Sequence, residues 1–330
     1  MDITNVPALI RDSGANEVML EAYEAVPTTY DSLVEVRPIE ETNLYGIKGT
    51  EIQGVGRFKI REDKQEVEAD EPGQGPTWQG KVRQFSRRID IPKRMVDAAN
   101  AANRITSMVQ EFAQDFGRTA ALDKDEFWAD MYQKGTLTAG SRRLFDGSFP
   151  ENTDPNPEFI YTGQPWFDTA HSVAGTNYAN HVATRALSTA NLQSSLITMR
   201  STNNVNDRGD RIRVRPDTLI VPAALEYTAR TILESSQLPG SANNDINAVR
   251  GALDLVVWDA LADSASSAAW WLSQRGQGKR SYESGAPTFR LAFDEKTQTW
   301  MLIAEFLFCP VVTNWRFDFA NNKAAAELAA

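Results

Sequence analysis

Residues 92–134, PKRMVDAANAANRITSMVQEFAQDFGRTAALDKDEFWADMYQK, decide the architecture. Pro92 suits the first turn of a helix, where its missing N–H has no partner to lose. From there small or apolar residues recur at Met95, Ala99, Ala102, Ile105, Val109, Phe112, Phe116 and Ala120. Steps of three and four mark one face of a helix. A second piece, 123–134, pairs Phe127 with Met131 and stops at Gly135, a fitting C-terminal cap. Unbroken, the span would run roughly 60 Å at 1.5 Å per residue. That is longer than a small core needs, and Gly117 is the point where it can bend.

On the N-terminal side, residues 43–91 read as a long protruding hairpin. Gly46, Gly49, Gly54 and Gly56 punctuate NLYGIKGTEIQGVGRF, the charged run KIREDKQEVEADE follows, and EPGQGPTWQG supplies a turn-rich tip. KVRQFSRRIDIP, with its imperfect alternation at Val82 and Phe85, is the second limb. Before the hairpin, residues 1–42 carry Pro7, Pro27 and Pro38 and too few apolar groups for a core of their own. They read as an extended arm, with a short helix near 15–25, that needs a host surface on its own body or a neighbour's.

On the C-terminal side, 136–186 is loop-rich. LSTANLQSSLITMRST is a capped amphipathic helix, with Ser188 or Thr189 as the cap. RIRVRPDTLIVPAAL is a strand ending at Pro222, LEYTARTILESS a helix and LDLVVWDAL a strand, so 187–285 reads as a compact α/β unit. TFRLAFDEKTQTWMLIAEFLF forms a hairpin about DEKTQ, and WRFDF sets Trp315, Phe317 and Phe319 on one face.

The chain has 330 residues, room for about two domains. Its one cysteine, Cys309, excludes an intrachain disulfide and a cysteine-based metal cage and suits a reducing compartment. The two histidines, His171 and His181, match no metal-ligand spacing, and no metal or cofactor is expected. A net charge of −10 argues against a dedicated DNA-reading domain. No apolar run reaches the ~18 residues a membrane span requires, and MDITNVPALIRDSG lacks the parts of a signal peptide. A soluble, intracellular protein with no membrane partner is expected.

Catalytic motifs fail one by one. Asp168 and His171 in DTAH could orient a base, with Ser172 or Ser188 as nucleophile, but no Gly-x-Ser-x-Gly elbow is present. A structural role for His171 is the simpler reading. Gly54-Val-Gly56 lacks a third glycine, and no Walker-type sequence occurs. Arg208-Gly209-Asp210 has the form of an adhesion tripeptide but reads as a turn before a strand. The basic cluster Lys81, Arg83, Arg87, Arg88, Lys93 and Arg94 could touch phosphates. The acidic stretch 62–71, on this chain or a neighbour's, is its better partner.

One ordered set of motifs remains: GQPWFDTAH (163–171), LSTANLQSSLITM (187–199), IVPAAL (220–225), LESSQLP (233–239), LDLVVWDALAD (253–263) and AAWWL (268–272). Together they resemble the major head (capsid) proteins of tailed bacteriophages, in the branch similar to the phage Mu major head subunit. The resemblance covers roughly 160–272; outside it only the order of elements agrees. It implies an α+β fold with an N-terminal arm (1–42), an E-loop hairpin (43–91), a P-domain with a spine helix (92–186), an A-domain (187–285) and C-terminal P-domain strands and tail (286–330).

It also implies a structural protein, not an enzyme, that assembles into the pentamers and hexamers of an icosahedral head around double-stranded DNA. That places it in the virion, assembled in the host bacterial cytoplasm. The implied partners are other copies of itself, a separate scaffold protein (because the chain begins directly with the arm), a portal protein, a decoration or cement protein, and DNA held non-specifically. The residues expected at the assembly interface are Arg57, Lys59, Arg61, Glu66, Glu68, Glu71, Trp78, Arg83, Arg87 and Arg88. Some relatives form Lys–Asn isopeptide links; Lys59 and Lys64 lie in the hairpin, but no pair is fixed. A nanocompartment or gene-transfer-agent shell shares this fold, and the rival from another class is a soluble hydrolase using His171.

Overall fold

The computed structural model describes residues 14–53, 60–61, 63, 73–101, 104–133, 135, 165–237, 245–261 and 268–323. In chain order these form helix α1 (Ala15–Glu24) and strands β1 (Glu35–Pro38), β2 (Ile47–Gln53), β3 (Gly73–Gly80) and β4 (Arg83–Pro92). Helices α2 (Lys93–Ala101) and α3 (Ile105–Gln133) come next, then β5 (His171–Val173), β6 (Thr176–Tyr178), β7 (His181–Val182) and α4 (Thr189–Ile197). The remainder is β8 (Thr218–Val221), α5 (Glu226–Glu234), β9 (Asp254–Val257), β10 (Trp270–Ser273), β11 (Lys279–Glu283), β12 (Thr288–Asp294), β13 (Thr299–Val312) and β14 (Asp318–Asn321). Among the described residues no helix is long and apolar enough to cross a membrane.

The periodic stretch is helical but interrupted between α2 and α3, so the spine is α3 alone: 29 residues, roughly 44 Å at 1.5 Å per residue. The interruption resets the phase. Val96 is buried in α2 while Met95, expected inside, is 51% exposed. Along α3 most of the expected face holds: Val109, Phe116, Ala120, Phe127 and Met131 are buried, whereas Phe112 is only half-buried and Ala113, not expected, is buried beside it. Gly117 is not a bend. A Cβ there would stand 2.3 Å from the Met19 carbonyl oxygen, so the glycine lets α1 lie backbone-close against the spine.

Under α3 lies a five-stranded sheet organised by β13. β12 and β11 pair antiparallel with successive parts of β13, β4 pairs with it from Thr299 to Phe308, and β1 adds parallel to β11. This corrects the expected hairpin. Its second limb is β3, antiparallel to β2, and not 83–92. The glycines and Pro76 of GQGPTWQG read as a tip, yet proline is tolerated in an edge strand such as a two-stranded ribbon provides. β4 joins the body through the partly buried Phe85: its ring stacks on Phe306 at 5.0 Å and meets Phe127 and Phe308 edge-on.

A second sheet has the order β7-β14-β10-β8-β9, with β8 parallel to β9 and antiparallel to β10. Ser188 caps α4 beside it, its hydroxyl accepting from Asn191 N at 3.3 Å. This sheet takes β7 and β14 from outside 187–285, while β11, inside that range, belongs to the first sheet. The chain therefore crosses between the two sheets more often than contiguous boundaries allow. The described part of the arm finds its host on its own body. Tyr30 and Leu33 are buried, and the Asp125 carboxylate of α3 accepts from Thr29 N (2.7 Å) and Tyr30 N (3.0 Å). Its other oxygen accepts from Trp258 Nε1 at 2.7 Å, so one side chain of the spine holds arm and second sheet together.

Candidate assembly surface

The β2–β3 hairpin is fastened at its root. Ile47, Trp78 and Val82 are buried in the main core. The Trp78 ring stacks on Tyr282 at 6.3 Å, and the Arg280 guanidinium stands 5.6 Å from it. Gly49 is the register partner of Trp78, and a Cβ there would lie 2.1 Å from the indole. Only glycine leaves room for the ring to fold across the ribbon. Trp78, expected at the interface, is therefore an anchor and only 6% exposed. Its β-parity in a Gly-rich strand carried no signal of that.

Between β2 and β3 the described residues are exposed. Ile60 is 99% exposed and Arg61 is exposed. Arg57, Lys59, Glu66, Glu68 and Glu71, together with Lys64, lie outside the described residues.

The structure brings Arg83, Arg87 and Arg88 together on β4, in the body sheet and not on the hairpin. Arg83 is half-buried; Arg87 and Arg88 are exposed. Alternation along the strand sends Gln84, Ser86 and Arg88 to the open face of the sheet. There Gln84 Nε2 donates to Glu305 at 2.8 Å, Arg290 approaches the same carboxylate at 3.5 Å, and Arg88 pairs with Asp90 at 2.9 Å. Gln84, Ser86, Arg87, Arg88, Arg290 and Glu305 line an open groove. Arg87 also attracts Asp123 of α3, whose carboxyl is nonetheless pushed above its ordinary range, chiefly by burial and then by Glu126. Each such exposed pair contributes about 0–1 kcal/mol.

His171 is placed for packing. Its ring lies parallel to Trp315 at 4.1 Å between centroids, and Nε2 is 3.0 Å from Asn180 Oδ1. Burial lowers its pKa to about 4, so the ring is neutral near pH 7. Asp168 Oδ1 accepts from the backbone of Thr169 and Ala170 and closes a turn. Ser172 is exposed and Ser188 caps α4. Asn180 is the hub that sequence reading missed: its Nδ2 donates to the carbonyls of Trp166, Trp315 and Asp318, and its Oδ1 accepts from Asp168 N. Arg208-Gly209-Asp210 is a turn, with Asn206 Oδ1 accepting from Arg208 N and Asp210 N. Among the described residues no group of three or more His, Cys, Asp or Glu could hold a metal ion.

A long helix on a mixed sheet, a second sheet joined through crossing strands, and a two-stranded ribbon define the fold of tailed-phage major capsid proteins. Solved structures agree. The capsid of cyanophage P-SCSP1u is similar at a TM-score of 0.52 and 12% identity, over 91% of this chain and 89% of that one. The capsid of a native GTA particle is similar at 0.51 and 12%, over 92% of each chain. No curated protein matches the sequence. The chain belongs to the phage capsid protein family, whose pattern matches residues 79–317.

Proposed function

We propose that this chain is the structural subunit of an icosahedral head: copies of it form pentamers and hexamers that close around double-stranded DNA, and it resides in the virion after assembly in the host cytoplasm. The observation that carries the proposal is the hairpin. Its root is locked into the core by Trp78 and Gly49, while Ile60, an apolar side chain in the segment between the two strands, is 99% exposed. A rigid root beside an exposed isoleucine suits contact with a neighbouring copy. Many identical weak contacts then sum to a stable closed shell.

The role we assign is geometric and not catalytic. His171 is consumed by Trp315 and Asn180, which supports that reading. A net charge of −10 suits a container that holds DNA without strong ionic binding. A scaffold protein, a portal protein and a decoration or cement protein complete the proposed set of partners. The likeness to the GTA capsid fits the same geometry, and the packaged nucleic acid separates the two uses. Sedimentation of the purified chain, with and without a scaffold protein, tests the proposal. Megadalton particles support it; a small oligomer under both conditions, with hydrolase activity lost in His171→Gln, favours the enzyme.

A further inference from the structure

Lys279, Ser281 and Glu283 alternate along β11 and so point to one face. All three are buried. Opposite them on α3 stand Tyr132, Trp128 and Lys124, each four residues from the next. At one end Lys124 Nζ donates to Glu283 Oε2 at 2.8 Å. In the middle Trp128 Nε1 donates to Ser281 Oγ at 3.3 Å. At the other end Tyr132 OH donates to Asp318 Oδ1 at 3.4 Å, the carboxylate that Lys279 Nζ grips at 2.7 and 2.9 Å. The charges are otherwise well satisfied. Lys124 also donates to Tyr23 OH and the Gly285 carbonyl, Glu283 accepts from Tyr30 OH and Ser281 Oγ, and Lys279 donates to Ser273 Oγ.

The spacing explains why the row is polar. Four helical residues rise about 6.0 Å and two strand residues about 6.8 Å, so the two rows repeat nearly in phase. Within the α3–β11 contact itself the matching repeats do not tell one turn of the helix from the next. The polar identities do not repeat. A slip of one turn sets Trp128 against Glu283, or Lys124 against Ser281, and strands a buried charge in either direction. Buried ion pairs add little net stability over apolar groups of similar size, whereas fixing a register is their best-attested use. Stability alone does not account for this row.

We propose that the α3–β11 row is a register key: it selects one setting of the spine on the first sheet and, because Asp318 belongs to β14, one setting of the second sheet against both. The test uses the full chain and three variants. Lys124→Met and Glu283→Leu each leave an unpaired buried charge and should lower Tm by about 5 °C or more. The triple variant Lys124→Met/Glu283→Leu/Tyr30→Phe also removes one of the two hydroxyls that donate to Glu283, while Ser281 keeps Trp128 as a partner, and its Tm should return to within about 2 °C of the parent or exceed it. Hydrogen exchange read by mass spectrometry should then show two populations in peptides covering 124–132 and 279–283, where the parent shows one. A triple variant that keeps a single population at parental rates overturns the proposal. So does one that stays as unstable as the single variants, because the pair would then serve stability.

Discussion

A methyl group on Gly117 should weaken the subunit even though alanine is the better helix former. At a free site in α3 the exchange would gain about 1 kcal/mol of helix propensity. Here the new Cβ would stand 2.3 Å from the Met19 carbonyl oxygen and 3.0 Å from the Tyr23 backbone nitrogen. Both obstacles are main chain, so no side-chain rotation relieves them. To reach ordinary contact α1 must retreat by about 1 Å, which forfeits a quarter to a half of the dispersion energy across the interface. The interface buries Ala15, Met19 and Ala22, and a fully buried methionine alone contributes about 1.5–3 kcal/mol. Overpacking of this kind costs about 1–3 kcal/mol, and a displaced α1 adds to it, so Gly117→Ala should be destabilised by about 1–3 kcal/mol net. Urea unfolding of soluble subunits reads this directly, with Gln114→Ala on the exposed face of α3 as a control within about 0.5 kcal/mol of the parent. Hydrogen exchange should show faster opening of 15–24. A variant that unfolds at the parent's urea concentration or above it, with α1 equally protected, would refute the close approach of the helices.

Three further outcomes follow from the site. Trp78→Ala removes the anchor of the hairpin root and should cost about 3–5 kcal/mol by chemical denaturation; an unchanged midpoint would return Trp78 to the surface. Replacing 54–72 with a short Gly/Ser linker spares β2, β3 and Trp78, so the subunit should keep its circular dichroism and melting temperature yet form no shells, and normal particles under the electron microscope would show that the hairpin does not drive assembly. The third outcome concerns acid. His171 has a folded pKa of about 4, below the ~6.5 of an unfolded chain, so the fold holds the neutral ring. That contribution is complete above about pH 6.5 and disappears as pH falls toward 4, a loss of about 3 kcal/mol. The stability of His171→Gln should therefore fall less steeply than the parent's across that window, and parallel pH curves would contradict the assignment.

The spine and the β12–β13 hairpin were legible because their periods are local: steps of three and four in the first, alternation about DEKTQ in the second. Strand partners were not. Nothing in RQFSRRIDIP announces that β4 lies along β13 more than two hundred residues later, and burial of Phe85 against Phe306 decides it. GQGPTWQG misled because glycine and proline mark turns more often than strands, whereas here Gly49 and Trp78 fit together only across an extended ribbon. Gly117 misled in the same way, since a glycine required by close packing looks in sequence like a hinge. The family was readable from the order of motifs between 160 and 272. The residues expected at an interface were less so: Arg83, Arg87 and Arg88 share a strand, but Trp78 belongs to the core. Of the buried row only Asp318, between Phe317 and Phe319, stood out in sequence; Lys124, flanked by Asp123 and Asp125, and Lys279, in the polar stretch QGKRSYE, read as ordinary surface charges.

The central claim is that this chain closes into shells, and imaging of the purified full-length protein by electron microscopy, alone and with a scaffold protein, tests it most directly. The account predicts closed particles of uniform size whose class averages show five- and six-fold clusters of subunits. Particles absent under both conditions, with the chain remaining a small oligomer, would contradict it.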